Sequence, residues 1–339
     1  MADKEIIETD QEPGAPHPRL TYTLTGHEAP EAMLSEALGG RMHHAWLICG
    51  PKGLGKATLA YRFARAALGA KLTGKPTDKF RGKRPLDVDP EDEIARKIAA
   101  QAHPDLFVLR RGYNERGRPR REIAVDDARE LGHFFSLAPS QGGMRVAIID
   151  AVDDLNRNAA NAILKTLEEP PPRSVLLLVC HAPGAALATI RSRCRRLALK
   201  PLSDDGVREA LGPKPDEALV KLAKGRPGRA IALHGQGVDA ASADLGDVLR
   251  ALSRGEARQV LSAMYDRMRG EPFEKLAAVL DLAAEWARSA GVEHTSEGWA
   301  EAWSALEQLR VEAEDLDMDP RHALARAIGI LDRAAAGKR

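Results

Sequence analysis

An α/β domain built on a parallel sheet, followed by an all-helical remainder, is the fold class that the sequence predicts. Three observations carry it. Four short apolar runs, Ala45–Cys49, Leu106–Leu109, Val146–Asp150 and Val175–Cys180, alternate with helix-like segments. Several are too continuously hydrophobic for a sheet with one wet face, so strands covered on both sides, and therefore parallel, are expected. Beyond about Pro201 the strand signal stops and the pattern is helical to Arg339.

The elements between the strands follow in order. Thr58–Leu68 places Leu59, Phe63 and Ala66 on one helical face, and Asp126 followed by Asp127 and Glu130 reads as a capped helix start. A further helix over Asn158–Glu169 is stopped by Pro170, Pro171 and Pro172. In the tail, Val260, Leu261, Met264 and Met268, then Leu276, Val279 and Leu280, recur at helical spacing, with Trp286, Trp299 and Trp303 as bulky core candidates. The stretch GRPGRAIALHGQG (225–237) is expected to separate a small helical unit from a larger one, which gives boundaries at 1–201, 202–237 and 238–339.

With 339 residues the chain has room for two or three domains, and 50 basic against 49 acidic side chains leave a net charge of +1. No long-range field recruits nucleic acid or a membrane, so any such contact needs a local patch. No apolar run approaches the roughly 20 residues that span a bilayer. The acidic opening MADKEIIETDQEPGAPHP lacks the parts of a signal peptide, so a cytoplasmic protein is expected. Cys49, Cys180 and Cys194 are too scattered for a CxxC zinc site and suit reduced thiols.

Residues 46–58, WLICGPKGLGKAT, place Gly50, Gly53, Gly55 and Lys56 between a predicted strand and a predicted helix. This is the setting of a phosphate-binding loop: glycines turn backbone N–H groups toward a phosphate, the helix start adds its dipole, and the lysine reaches the outer phosphates. Ala57 stands where Ser or Thr would ligate Mg²⁺. Thr58 is about 100° further round the helix and substitutes poorly. Asp150 ends a later strand, as a metal-holding carboxylate should, but Ala151 follows where a water-orienting Glu is expected; Asp153 and Asp154 are read as the start of a solvated turn. Two losses in the same direction imply a site relieved of hydrolysis.

HHAWLICGPKGLGKATLA, DAVDDLNRNAANAILKTLEEPPP and TIRSRCRR together resemble the bacterial clamp-loader AAA+ subunits, within them the ones whose ATPase motifs are degenerate. The resemblance runs from about Leu20 to Leu233, and its specific pieces are Leu164–Pro171 and Ser192-Arg193-Cys194. It implies a P-loop AAA+ α/β domain (1–201), a helical lid (202–237) and a helical collar (238–339). The collar of that family joins a heteropentameric ring with gamma and tau motor subunits and a delta subunit, which loads a sliding clamp on primer-template DNA in the bacterial cytoplasm. By the same resemblance Arg193 reaches across a subunit boundary to the γ-phosphate held by a motor neighbour; the alternative for this residue is a surface salt bridge. A planar, permanently charged guanidinium suits phosphoryl transfer.

Two departures from the motor subunits matter. Gly225-Arg226-Pro227-Gly228 has glycine where their lid arginine touches nucleotide, with Arg229 one residue late, and residues 69–102 contain none of the four zinc cysteines of the family. That interval, rich in Lys, Asp and Pro, is expected to be an irregular or partly ordered connection without metal. The implied function is a subunit that hydrolyses nothing itself and needs no cofactor, its loop either holding ATP or ADP without turnover or being vestigial; a weakly active ATPase motor is the alternative. RRGYNERGRPRR (110–121) carries six arginines and one glutamate and reads as a solvated loop or a phosphate-contacting patch. His43 and His44, without metal-ligand spacing, and the cysteines, without a base nearby, are assigned to packing.

Overall fold

Alternation along the strands decides how the sheet is covered. The computed structural model describes residues 8–69, 84–235 and 297–336, except 13, 115–116, 118, 141–142, 183–186 and 317, together with isolated helical positions between 276 and 287. The strands are β1 (Ala45–Cys49), β2 (Leu106–Arg110), β3 (Arg145–Asp150), β4 (Ser174–Cys180) and β5 (Arg195–Ala198), all parallel, in the order β2-β3-β4-β1-β5. Ala45, Leu47 and Cys49 join Ala147, Ile149, Leu176 and Leu178 in one core layer, while Trp46 and Ile48 join Val146, Ile148, Val175 and Leu177 in the other. The first layer is closed by α4 (Val125–Ser136) and α5 (Arg157–Glu168), the second by α1 (Glu28–Gly39), α2 (Lys56–Ala67) and α3 (Glu93–Ala99). Each fully buried Leu, Ile or Val contributes about 1.5–3 kcal/mol to holding these layers.

The four expected strands are present, and the fifth, β5, was not legible. Of its residues only Leu197 is buried, Arg195 lies over the Trp46 ring at 4.9 Å, and no apolar run marks it. Charged residues suit an edge strand, where pairing with another chain must be discouraged. The expected helix start at Asp126 is corrected: Ala124 is the cap position, the Asp127 carboxylate accepts its N–H at 3.2 Å, and Asp126 pairs with Arg129. Helix α5 starts from Asn156, whose side chain accepts the Ala159 N–H, and ends before the prolines.

The irregular or partly ordered connection expected over 69–102 is ordered in its later part. Residues 70–83 lie outside the described residues, but α3 follows, capped by Asp92 on the N–H groups of Ile94 and Ala95, and Leu86, Val88 and Ile98 are buried. A seven-residue helix is shorter than the window in which helical periodicity can be read.

The chain divides into two compact units, Met1–Pro213 with Gly225–Gly228, and Lys214–Lys224 with Arg229–Arg339. The first contains the sheet, its helices, and α6 (Ala188–Arg191) and α7 (Asp204–Leu211). The second contains α8 (Glu217–Ala223), most of α9 (Pro227–Gly235), α10 (Glu297–Asp315) and α11 (Pro320–Ala336). Within it Leu306, Leu309, Leu324 and Leu331 are buried, as are Leu276, Val279 and Leu280. Trp299 is buried, but Trp303 is 39% exposed, against the expectation of a core position. Val260, Leu261, Met264, Met268 and Trp286 lie outside the described residues.

Candidate functional site

The loop between β1 and α2 adopts conformations that its glycines permit. Gly50 has φ +147° and Gly55 φ +81°; a Cβ on Gly50 would sit 2.5 Å from the Leu199 carbonyl oxygen, and one on Gly55 would sit 2.4 Å from a Leu24 methyl. Gly55 is the N-cap position of α2, so the helix start and its dipole open onto the loop. Lys56 is 3% exposed and donates from Nζ to the Pro51 carbonyl at 2.7 Å. Burial pushes its ammonium down to about 8, opposed by Asp150 and Asp153. Burial likewise pushes the Asp150 carboxyl up to about 7, strengthened by Asp10 and opposed by Lys56. Gly50, Gly53, Gly55, Lys56 and Asp150 therefore gather at the carboxyl ends of β1 and β3, and Thr58 is buried one turn into α2. This cradle fits a polyphosphate. It does not complete a magnesium site, because Ala57 offers a methyl group where the hydroxyl ligand belongs, and Ala151, 1% exposed, is packed away.

Asp153 and Asp154 are structural joints, which corrects the solvated turn expected there. Asp153 accepts the N–H groups of His181 at 2.6 Å and Ala182 at 2.8 Å, tying the end of β4 to the turn after β3. Asp154 pairs with Arg111 at 3.2 Å and its carbonyl accepts the Ile123 N–H. Burial and the neighbouring Lys56 push His181 down to about 4, which leaves a neutral ring near the loop.

Of the arginine run 110–121, Arg116 and Arg118 lie outside the described residues, and three of the four described arginines are paired within the chain. Arg110 pairs with Glu8 and Asp10, Arg111 with Asp154, and Arg120 with Asp127. Asp10 has a fully buried side chain, and the Thr9 hydroxyl donates to the Arg111 carbonyl while the Arg111 guanidinium donates back to the Thr9 carbonyl. Burial works against the Glu8 carboxylate, but hydrogen bonds from Arg19, Arg110 and Gln101 outweigh it and hold it down at about 2. Glu8, Asp10 and His17 bring three potential ligand atoms within 4.8 Å, yet Arg19 and Arg110 already neutralise these carboxylates. Two residues further on, Glu12 pairs with Lys52 of the loop at 2.8 Å. Sequence reasoning missed Glu12, Lys52, Arg111 and His181, since only the fold brings them to one place.

Arg193 follows the short α6. It donates to the Thr189 carbonyl at 2.9 Å and pairs with Glu168, at the end of α5, at 2.7 Å; the two side chains are 34% and 49% exposed. The Ser192 hydroxyl donates to the same Thr189 carbonyl, and Cys194 is half-buried against the α4/α5 layer. Arg193 thus belongs to the group formed by α5 and α6 and is held to it by a surface ion pair. His43 and His44 stack on one another at 4.5 Å, and Cys49 and Cys180 are buried partners on β1 and β4.

At the other side of the loop, the Gly228 N–H donates to the Gly53 carbonyl at 2.9 Å, and a Cβ on Gly228 would lie 3.0 Å from that oxygen. A side chain at 228 would therefore press on the Gly53 backbone, which would have to shift by a few tenths of an ångström.

No helix among the described residues is long and apolar enough to cross a membrane. A family model described as DNA polymerase III, delta subunit, matches residues 27–203. The DNA polymerase III subunit delta' of Pseudomonas aeruginosa is 38% identical over 213 residues, 59% of this chain and 59% of that protein. The corresponding subunit of Yersinia pestis is 30% identical over 264 residues, 74% of this chain and 73% of that protein. Among solved structures, a DNA polymerase III gamma subunit-related protein from Thermotoga maritima shares the fold with a TM-score of 0.50 at 16% identity, covering 90% of this chain and 99% of that one. With the phosphate loop, the five-stranded parallel sheet and the Ser192-Arg193-Cys194 segment in place, these matches assign the chain to the DNA polymerase III delta' family.

Proposed function

We propose that the chain is a non-hydrolysing subunit of a bacterial replicative clamp loader, working in the cytoplasm. On this reading it assembles with gamma or tau motor subunits and a delta subunit into a five-membered ring, and Arg193 serves the ATP site of the neighbouring motor. The observation that carries the reading is a phosphate cradle kept in shape while its metal-binding and water-orienting positions hold Ala57 and Ala151. A hydroxyl at 57 and a carboxylate at 151 are what hydrolysis requires, whereas binding draws on backbone N–H groups that neither alanine disturbs. The position of Arg193 supports the second half: it lies at the surface after α6, about a third exposed, and its ion pair with Glu168 is one that a partner's phosphate could displace.

An ATPase assay on the purified chain tests the first half. Turnover is expected to be indistinguishable from the buffer background, while calorimetry with ADP registers binding. Turnover at the rate of a working motor overturns the reading.

The collar assignment has its own test. Removal of residues 238–339 is expected to leave a folded sheet domain that no longer elutes with its partners in size-exclusion chromatography. Normal co-elution of the truncated chain contradicts it.

A further inference from the structure

Several contacts within the chain already engage the phosphate loop. Lys56 donates to Pro51, the Gly228 N–H donates to the Gly53 carbonyl, and Lys52 pairs with Glu12. The first two involve groups at the base and flank of the loop. The third differs in kind, because Glu12 is a carboxylate brought in by a separate segment, and a carboxylate on a loop lysine stands in for a phosphate oxygen.

The segment is anchored well before it reaches Lys52. Arg110 is the register partner of Asp150 at the ends of β2 and β3, and Arg110 holds both Glu8 and the fully buried Asp10. Thr9 and Arg111 exchange two hydrogen bonds beside it. Residues 8–10 are thus fixed at the carboxyl edge of the sheet next to Asp150, and two residues later the chain delivers Glu12 to the loop. An isolated surface pair such as Lys52 with Glu12, 63% and 35% exposed, holds little by itself. Tethering raises the effective concentration of Glu12 at Lys52 far above that of a free anion.

We propose that residues 8–12 form an internal strap whose Glu12 carboxylate competes with the polyphosphate of a nucleotide for the mouth of the loop. This deepens the reading of the loop as a nucleotide-binding site without turnover, and rests on it. Glu12 leaves Lys52 when a nucleoside di- or triphosphate enters, and Asp10 stays bound to Arg110 as the hinge of the strap. Inorganic pyrophosphate, which carries the same charge without the base, is subject to the same competition.

The experiment is calorimetric titration of the full chain with ADP and, separately, with pyrophosphate. Glu12→Gln removes the competing charge without touching the buried anchors, and is expected to tighten both ligands roughly two- to fivefold, the span that a surface ion pair commands. Glu12→Lys, which repels Lys52, is expected to tighten them further. Thr9→Val combined with Glu12→Gln loosens the strap and should match or exceed the single variant. Glu91→Gln, an exposed charge removed from α3's approach, controls for net charge and should change nothing. Equal affinity in the wild type and both Glu12 variants overturns the strap and leaves the nucleotide reading standing. No binding by any variant overturns both. ATP hydrolysis by the pure chain overturns the non-hydrolysing reading alone, and tighter binding by the Glu12 variants then still supports the strap.

Discussion

In the reconstituted complex, Arg193→Ala is expected to leave ring assembly intact and to cut ATP turnover at the adjoining site on the order of a thousandfold or more. The cost to the subunit's own fold is small, because the Glu168 partner is 49% exposed and such pairs stabilise by about 1 kcal/mol at most. Fold and the proposed trans-acting role are therefore expected to separate at this residue. In the proposed ring, total turnover is expected to fall less than the single-site figure, since other sites would keep their own arginines. Arg193→Lys restores the charge but loses the forked geometry and the second hydrogen-bonding edge, so rescue is poor. DNA- and clamp-stimulated hydrolysis, with assembly followed by size-exclusion chromatography, reads both quantities. A Arg193→Ala complex that assembles and turns over at the wild-type rate reduces Arg193 to the surface partner of Glu168.

The largest expected loss of stability lies elsewhere, beneath α2. Arg62 is 1% exposed and pairs with Glu31 of α1, 0% exposed, at 2.8 Å; it also holds Asp87 at 2.7 Å and donates to the Tyr22 carbonyl. Burial raises the Glu31 carboxyl, only partly offset by Arg62. Removal of the guanidinium strands that carboxylate, whose Oε2 already has no hydrogen-bond partner among the described residues. Arg62→Ala is therefore expected to cost about 3–5 kcal/mol, the range for breaking a buried pair from one side. The paired replacement of Arg62 by Met and Glu31 by Leu should recover most of that loss, since burying two apolar groups avoids the desolvation of both charges. Chemical denaturation of the three chains gives the comparison. A loss below about 1 kcal/mol for Arg62→Ala means that Glu31 is already neutral in the fold.

Arg62 also illustrates where the sequence stops being informative. Leu59 and Phe63 mark the apolar face of α2, and both are fully buried. The same helix buries Arg62 and Arg65, which composition assigns to solvent, because partners from residues 19–31 and 87 converge on them. β1 and β4 were readable because strands covered on both sides need unbroken apolar runs; β5 was not, because an edge strand needs only Leu197 inside. The candidate site divides in the same way. Gly50, Gly55 and Lys56 follow from local spacing, whereas the meeting of Lys52 with Glu12 depends on a segment forty residues away in sequence and on Arg110 and Asp10 holding it.

Gly228 bears on whether the site could be restored to hydrolysis. Its N–H is bonded to Gly53, and a side chain there would crowd the backbone of the very loop that a lid arginine is meant to serve. Any side chain at 228 requires the Gly53 backbone to give way by a few tenths of an ångström. On the proposed reading, a hydroxyl restored at 57 and a carboxylate restored at 151 are therefore not expected to bring back hydrolysis while Gly228 keeps its bond to the loop.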